Sequence, residues 1–290
     1  MISFFPFTKF HGKRQTGSTT IRVDQLIKYW PEAEKYKYGQ KADVLIWQKV
    51  YWLPDWHFQE HYNGGLQILD ICDPDWLDNA YIKRTIDCMD AVVVPTKPLQ
   101  EFIQQMTDKP VVIIKDRFDL DKAPKEPKQH EGKVKSAIWF GYSHNADLMQ
   151  FAIRSLEARK IKLTVYSDND PILWHYADSP EDFRKNLYQY RQYKETDFYN
   201  EMQKHDVCLM PKGFRPKDIF KSENRTVKAW LAGLPVAGNA DELDALQDDK
   251  ARNKVVQLNY KKAIAGYDVK LSVKEYKGLI DELHSRNKKN

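Results

Sequence analysis

Apolar residues along this chain fall into short unbroken runs, separated by longer stretches in which they recur every three or four positions. The runs cover 2–7 (ISFFPF), 43–50 (DVLIWQKV), 66–72 (LQILDIC), 91–96 (AVVVPT) and 111–115 (VVIIK). They resume at 136–142 (SAIWFGY), 162–167 (KLTVYS), 206–211 (DVCLMP), 234–238 (LPVAG) and 254–258 (KVVQL). A strand with no polar alternation has both faces buried, as in a parallel sheet covered by helices on each side. The intervening stretches carry the helical period. Ile21, Val23, Leu26, Ile27 and Trp30 form one stripe, and Leu148, Phe151, Ala152, Ser155 and Leu156 another. A third helix is expected over 99–106, after the Thr-Lys-Pro turn.

Ten such strands are many for one open sheet, and the segment 119–133 (DLDKAPKEPKQHEGK) interrupts them with two prolines and little apolar content. The pattern therefore predicts an α/β protein of two Rossmann-like, doubly wound domains, over 1–125 and 134–265. A last helix within 266–290 presents Leu271, Val273, Tyr276, Leu279, Ile280 and Leu283 on its apolar side and is expected to pack back on the first domain. The polar, tyrosine-rich tract 178–195 reads as a surface helix or an insertion.

Composition narrows the class. With 290 residues, 42% hydrophobic and 30% charged, the chain suits a soluble globular protein. Three scattered cysteines make neither a disulfide framework nor a zinc ribbon, so a reducing cytoplasm is expected. No leader-like pattern opens the sequence, and no run of 18 apolar residues is present to span a membrane. A net charge of +5 favours an anionic partner mildly.

Ligands of open α/β sheets bind beyond the carboxyl ends of the strands, so the loops that follow strands hold the candidates. In LDICDPDW, Asp73 closes a strand and is placed to hold a hydroxyl or act as a base, with Asp75 close behind, although Asp-Pro also starts turns and Asp75 also suits a helix cap. The loop GKRQTGST (12–19) offers Gly17 and Ser18 at a helix start, parts of an anion or sugar-hydroxyl site; a simple cap at Ser18 or Thr19 explains the same residues. HFQEH (57–61) has the spacing of a zinc-peptidase helix, yet a surface turn with ordinary histidines accounts for it better. Asp168-Asn169-Asp170 lacks the glycine and glutamate of a calcium loop and reads as a turn. No G-x-G-x-x-G follows a strand, which removes the dinucleotide-dependent oxidoreductases.

The densest constellation is PKGFRPKDIFKSENR (211–225). Lys212, Arg215, Lys217, Lys221 and Arg225 crowd a strand-to-helix connection, with Ser222, Glu223 and Asn224 at the helix start. Gathered cations repel one another unless an anion neutralises them, and a diphosphate at the helix N-terminus does so.

Taken in order along the chain, LDICDP, AVVVPTKPLQEFI and VKAWLAGLPVAG resemble the GT-B glycosyltransferases, in particular the retaining nucleotide-sugar enzymes of the family-four type. The resemblance implies two domains facing across a cleft and a nucleotide-diphosphate sugar as co-substrate, with no other cofactor and no metal. It implies a metal-independent transfer of a hexosyl or related group to a hydroxyl. Lys212, Arg215, Lys221, Ser222, Glu223, Asn224 and Arg225 would hold the donor with Gly141, Tyr142 and Ser143. Asp73 and Gly17 would serve catalysis, and Ser18, His57 and Asp75 the acceptor. This chain departs from the family at three places. Phe220 or Lys221, and then Lys228, stand where relatives carry two glutamates, and Cys72 stands where they carry a histidine. The acceptor is expected to be a small or lipid-linked glycoside or, as in some viral enzymes, a modified base in DNA, with Tyr188, Tyr190, Tyr193 and Phe214 available for stacking. A catalytically silent nucleotide-sugar-binding protein is the alternative class, and no obligate protein partner is expected.

Overall fold

A computed structural model describes residues 1–7, 16–37, 39–50, 65–74, 77, 82–213 and 216–288. They divide into two compact units. Unit 1 comprises Met1–Asp119, Phe214–Ser222 and Tyr267–Asn290; unit 2 comprises Leu120–Gly213 and Glu223–Gly266.

Unit 1 holds β1 (Ile2–Pro6), β2 (Ala33–Lys35), β3 (Val44–Gln48), β4 (Leu66–Asp70), β5 (Ala91–Val94) and β6 (Val111–Ile113), in the order β2-β1-β3-β4-β5-β6. Every pairing is parallel. Alternate residues of each strand serve opposite cores. Leu45, Trp47, Val92 and Val94 pack with Ile86, Leu99 and Ile103 on one face. Val44, Ile46, Ala91 and Val93 pack with Val23, Leu26 and Trp30, and with Val269, Tyr276 and Ile280 of the C-terminal helix Val269–Asn287, on the other. Both faces are covered, which is why the strands read as continuous apolar runs.

Unit 2 repeats the plan with β7 (Ser136–Gly141), β8 (Lys162–Ser167), β9 (Tyr188–Gln192), β10 (Val207–Leu209) and β11 (Val236–Ala237), ordered β11-β10-β7-β8-β9 and parallel throughout. The helix Gln150–Ala158 contributes Ile153 and Leu156 to one core, while Phe198, Met202, Ala229 and Ala232 fill the other. Gly233 makes the sharp stop after the helix Asn224–Leu231: its φ is +74°, and a Cβ there would stand 2.2 Å from Lys128 N.

Both orders reverse direction once, between β1 and β3 in unit 1 and between β7 and β10 in unit 2. Those reversals are where α/β sheets open a crevice at their carboxyl edge.

Three elements differ from the sequence reading. The run 254–258 is not a strand but lies inside the helix Asp249–Gly266, whose buried positions Arg252, Val256, Tyr260 and Ala263 follow the helical period and leave Leu258 outward. The tract 178–195 supplies a helix, Pro180–Asn186, and then the edge strand β9, whose alternation of tyrosine with Gln189 and Arg191 is the period of two of a strand. The short strand β2 had no apolar run to announce it.

Two imidazoles in unit 2 are buried as neutral groups. His130 Nε2 meets Gly233 O at 3.0 Å, and His205 bridges Glu201 O and Thr164 Oγ1. Burial holds both below the usual histidine range, against their backbone hydrogen bonds. A histidine depressed in the folded state binds more protons when unfolded, so its stabilising effect is full above about pH 6.5 and is lost as pH falls through that value. The melting temperature should therefore fall between pH 7.5 and pH 5.5, and His130→Gln with His205→Gln should flatten that slope. An unchanged slope in the double variant would assign the pH response to other groups.

Candidate active site

At the carboxyl edge of unit 1, polar residues gather around Gln48, the last residue of β3. Its Oε1 accepts from Phe7 N and from Thr19 Oγ1, each at 3.3 Å, and its Nε2 lies 3.9 Å from Cys72 Sγ. Thr19 belongs to the helical stretch that opens at Gly17 and includes a π-turn over Thr20–Asp24. The cap of this stretch is Thr16, whose Oγ1 accepts from Thr19 N and lies 3.0 Å from Ser18 Oγ, so neither Ser18 nor Thr19 is the cap. A Cβ on Gly17 would meet nothing within 4 Å, so no described neighbour requires glycine there.

Asp73 stands beside this group. Its Oδ2 takes the Lys49 ammonium at 2.9 Å and faces the Cys72 thiol at 3.6 Å. Burial, with Asp73 alongside, pushes the Cys72 thiol far above its ordinary range, so it stays neutral. Asp75, His57, the rest of HFQEH and Gly12 lie outside the described residues, as do Arg215 and Phe214. Beneath the site is a buried ionic network. Arg22 Nε bonds both oxygens of Asp70 at 2.6 and 2.9 Å, and its Nη1 reaches Asp116 Oδ1 at 2.7 Å and Ile114 O. Tyr276 Oη donates to Asp70 at 2.6 Å.

The expected donor cluster divides between the units. Lys221 and Ser222 belong to unit 1, where Lys221 Nζ bonds Asp218 at 2.9 Å and Ser222 Oγ donates to Asp116. Lys217 sits on the same helix, Pro216–Phe220, whose Phe220 packs on Phe102 with ring centroids 5.2 Å apart. Glu223, Asn224 and Arg225 belong to unit 2 and begin the helix Asn224–Leu231; Glu223 occupies the cap position without a side-chain capping bond, and neither Ser222 nor Asn224 takes that place. Lys212 is exposed in the connection after β10.

Within unit 2, Arg225 returns to the end of β7. Its Nη1 donates to Phe140 O at 3.4 Å, and a Cβ on Gly141 would stand 2.9 Å from that nitrogen and 3.3 Å from the Trp139 ring. Gly141, with φ +154°, thus lets a guanidinium lie against the backbone at the point where the sheet reverses. The next residues continue the rim. Tyr142 is 45% exposed with its ring stacked on His144, and Ser143 N donates to Asp168 Oδ1 at 2.7 Å. Burial alone would raise Asp168, but the bonds from Ser143 and Ser167 hold its carboxyl below the usual range.

One turn along from Arg225, Lys228 Nζ lies 2.9 and 3.1 Å from the two oxygens of Glu195, 3.2 Å from Tyr193 Oη and 4.2 Å from the Phe198 ring centroid. Burial lowers this ammonium below the usual lysine range while Glu195 pulls it back. The tyrosines proposed for base stacking are committed elsewhere: Tyr193 packs on Tyr166, and Tyr188 and Tyr190 pack on the core with hydroxyls bonded to Asp170 and to the Ser167 and Asp168 carbonyls. Among the described residues no three His, Cys, Asp or Glu side chains group as a metal site, and no helix is long and apolar enough to cross a membrane.

Solved structures share this architecture. A DNA-bound alpha-glucosyltransferase, in complex with UDP and a 13-mer DNA containing a HMU base, matches with a TM-score of 0.66 at 9% identity, over 97% of this chain and 99% of that one. Anabaena HepE in complex with UDP matches with a TM-score of 0.65 at 11% identity, over 97% and 99%. The fold is GT-B. A variant of S. aureus TarM, in complex with Fondaparinux, alpha-GlcNAc-glycerol and UDP, matches with a TM-score of 0.60 at 12% identity, over 82% of this chain; the chain spans 55% of the length of TarM. No protein-family model matches the sequence, and no curated protein does.

On this GT-B framework Asp73, Gly17, Gly141 and Arg225 were expected from the sequence, Asp168 read only as part of a turn and Lys228 only as a departure from the family's glutamates, and Gln48, Lys49 and Glu195 carried no expectation. Lys49 and Asp168 each follow a strand end, the one signal that would have found them. Glu195 carries none, since it is recognisable only through Lys228.

Proposed function

We propose that the chain is a glycosyltransferase that moves a sugar from a nucleotide-diphosphate sugar to a hydroxyl acceptor. The observation that carries this reading is the Arg225 guanidinium lodged against Gly141 at the chain reversal of unit 2, beside the start of the helix Asn224–Leu231. A glycine that keeps backbone and cation together, with helix-terminal N–H groups beside it, is suited to a diphosphate. UDP in the solved complexes of HepE and TarM supports the same class of donor.

As the bond between anomeric carbon and diphosphate oxygen breaks, its electrons remain on the diphosphate, and Arg225 stabilises the growing charge. The acceptor oxygen forms the new bond, and we assign Asp73, held by Lys49, to orient that hydroxyl and take its proton. Metal independence belongs to this proposal and requires undiminished turnover in EDTA.

Arg225→Ala should weaken UDP binding in titration calorimetry by about 1.5–3 kcal/mol, the usual loss for a hydrogen bond to a charged group. That is roughly 10- to 160-fold in Kd. UDP affinity equal to that of the unaltered protein would overturn the diphosphate assignment.

A DNA acceptor is the second reading. It is favoured by the end-to-end match with the DNA-bound alpha-glucosyltransferase and by the net charge of +5. It requires affinity for duplex DNA that falls steeply with salt.

A further inference from the structure

Lys49 is one of three residues other than glycine with positive φ among the described residues. Its φ of +58° lies in the left-handed region, which glycine or asparagine enters at low cost and a long side chain does not. The residue follows β3 directly, at the chain reversal of unit 1, and its N–H bonds Asp70 O at 2.9 Å. From there the side chain, only 12% exposed, delivers its ammonium to Asp73 Oδ2 and passes 5.6 Å from the Phe7 ring centroid. Strained backbone persists where the surrounding structure over-determines it, and it clusters at sites where geometry matters more than stability.

We propose that Lys49 is a positioning residue for Asp73: the left-handed turn after β3 serves to bring its ammonium onto Oδ2 and so fix the direction in which the carboxylate meets an acceptor hydroxyl. The neutral Cys72 thiol faces the same oxygen at 3.6 Å, so a group that follows β3 and a group that follows β4 meet at Oδ2. A lysine retained for fold stability would sit in ordinary backbone; this one accepts an unfavourable backbone for a particular ion pair. The inference rests on the glycosyltransferase reading through the role given to Asp73.

The test compares Lys49→Gly and Lys49→Arg with the unaltered protein. Melting temperature, UDP affinity and turnover of UDP-glucose and UDP-N-acetylglucosamine are measured, with a hydroxymethylated oligonucleotide, a simple alkyl glycoside and water as acceptors. Lys49→Gly, which relieves the strained backbone, should keep or raise the melting temperature and leave UDP affinity unchanged while kcat falls about tenfold or more. Lys49→Arg, which restores a cation, should recover part of kcat. Unchanged kcat in Lys49→Gly, or a fall in kcat matched by a fall in melting temperature, overturns the proposal. Failure of the unaltered protein to bind UDP or turn over either donor overturns the functional reading and this proposal with it; normal turnover that ignores Lys49 overturns only this one.

Discussion

Arg22→Met should cost unit 1 about 3–5 kcal/mol, because it leaves buried carboxylates without their counter-ion. Arg22 is 3% exposed, Asp70 is fully buried and Asp116 nearly so. Burial alone would lower the guanidinium pKa, but Asp70, Tyr276 and Asp116 hold it well above its ordinary value, so the native state contains the charged group. Methionine fills most of the volume and makes none of the bonds, whereas Tyr276 still reaches Asp70 and Ser222 still reaches Asp116. The loss therefore reports desolvated charge rather than a cavity. A chain of two units need not unfold in one step, so hydrogen exchange of the β4 amides is the suitable measurement. A loss under about 1 kcal/mol would mean that water or a rearranged neighbour replaces the guanidinium.

That network also marks where the sequence was legible and where it was not. Its members stand at positions 22, 70, 116, 222 and 276, and no local pattern joins a helix stripe, two strand ends, a loop and the last helix. Arg22 sits one place before Val23 in an apolar stripe and reads as the solvent edge of its helix. In the structure it lies in the π-turn over Thr20–Asp24, buried against Asp70, Ile114 O and Asp116. Strands were easier. A parallel strand covered on both faces, such as Val44–Gln48, writes its whole environment into consecutive residues. An edge strand such as Tyr188–Gln192 is half polar and read as part of a surface helix or an insertion, and 254–258 passed for a strand because three apolar residues in five positions fit either period.

The candidate site followed the same rule. Asp73, Gly141 and Arg225 were visible because each stands beside a strand end or a helix start, where the topology of an α/β sheet directs attention. The cations of 211–225 are close in sequence, and the chain passes from unit 2 into unit 1 and back within that stretch. Lys221 is partnered by Asp218, three residues before it, and Ser222 by Asp116, a bond that sequence proximity does not foretell. Lys228 is the converse case. A lysine in place of glutamate looks like a lost function until the carboxylate of Glu195 is found on its ammonium.

Asp73→Asn should reduce sugar transfer about 100- to 10,000-fold, the range for a positioned general base, while UDP binding stays within twofold of the unaltered protein. The amide keeps the size of the carboxylate and can still accept a hydrogen bond, but it takes up no proton as the acceptor oxygen bonds the anomeric carbon. It also loses the charge that holds Lys49 at 2.9 Å. Arg225→Ala should give the opposite pattern, a loss of donor affinity, because its guanidinium lies at the end of β7 in unit 2. Proportional losses of transfer and donor affinity in Asp73→Asn would instead make this aspartate a structural anchor for Lys49. The proton would then leave the acceptor by another route, with the diphosphate oxygen itself the nearest base that the reaction supplies.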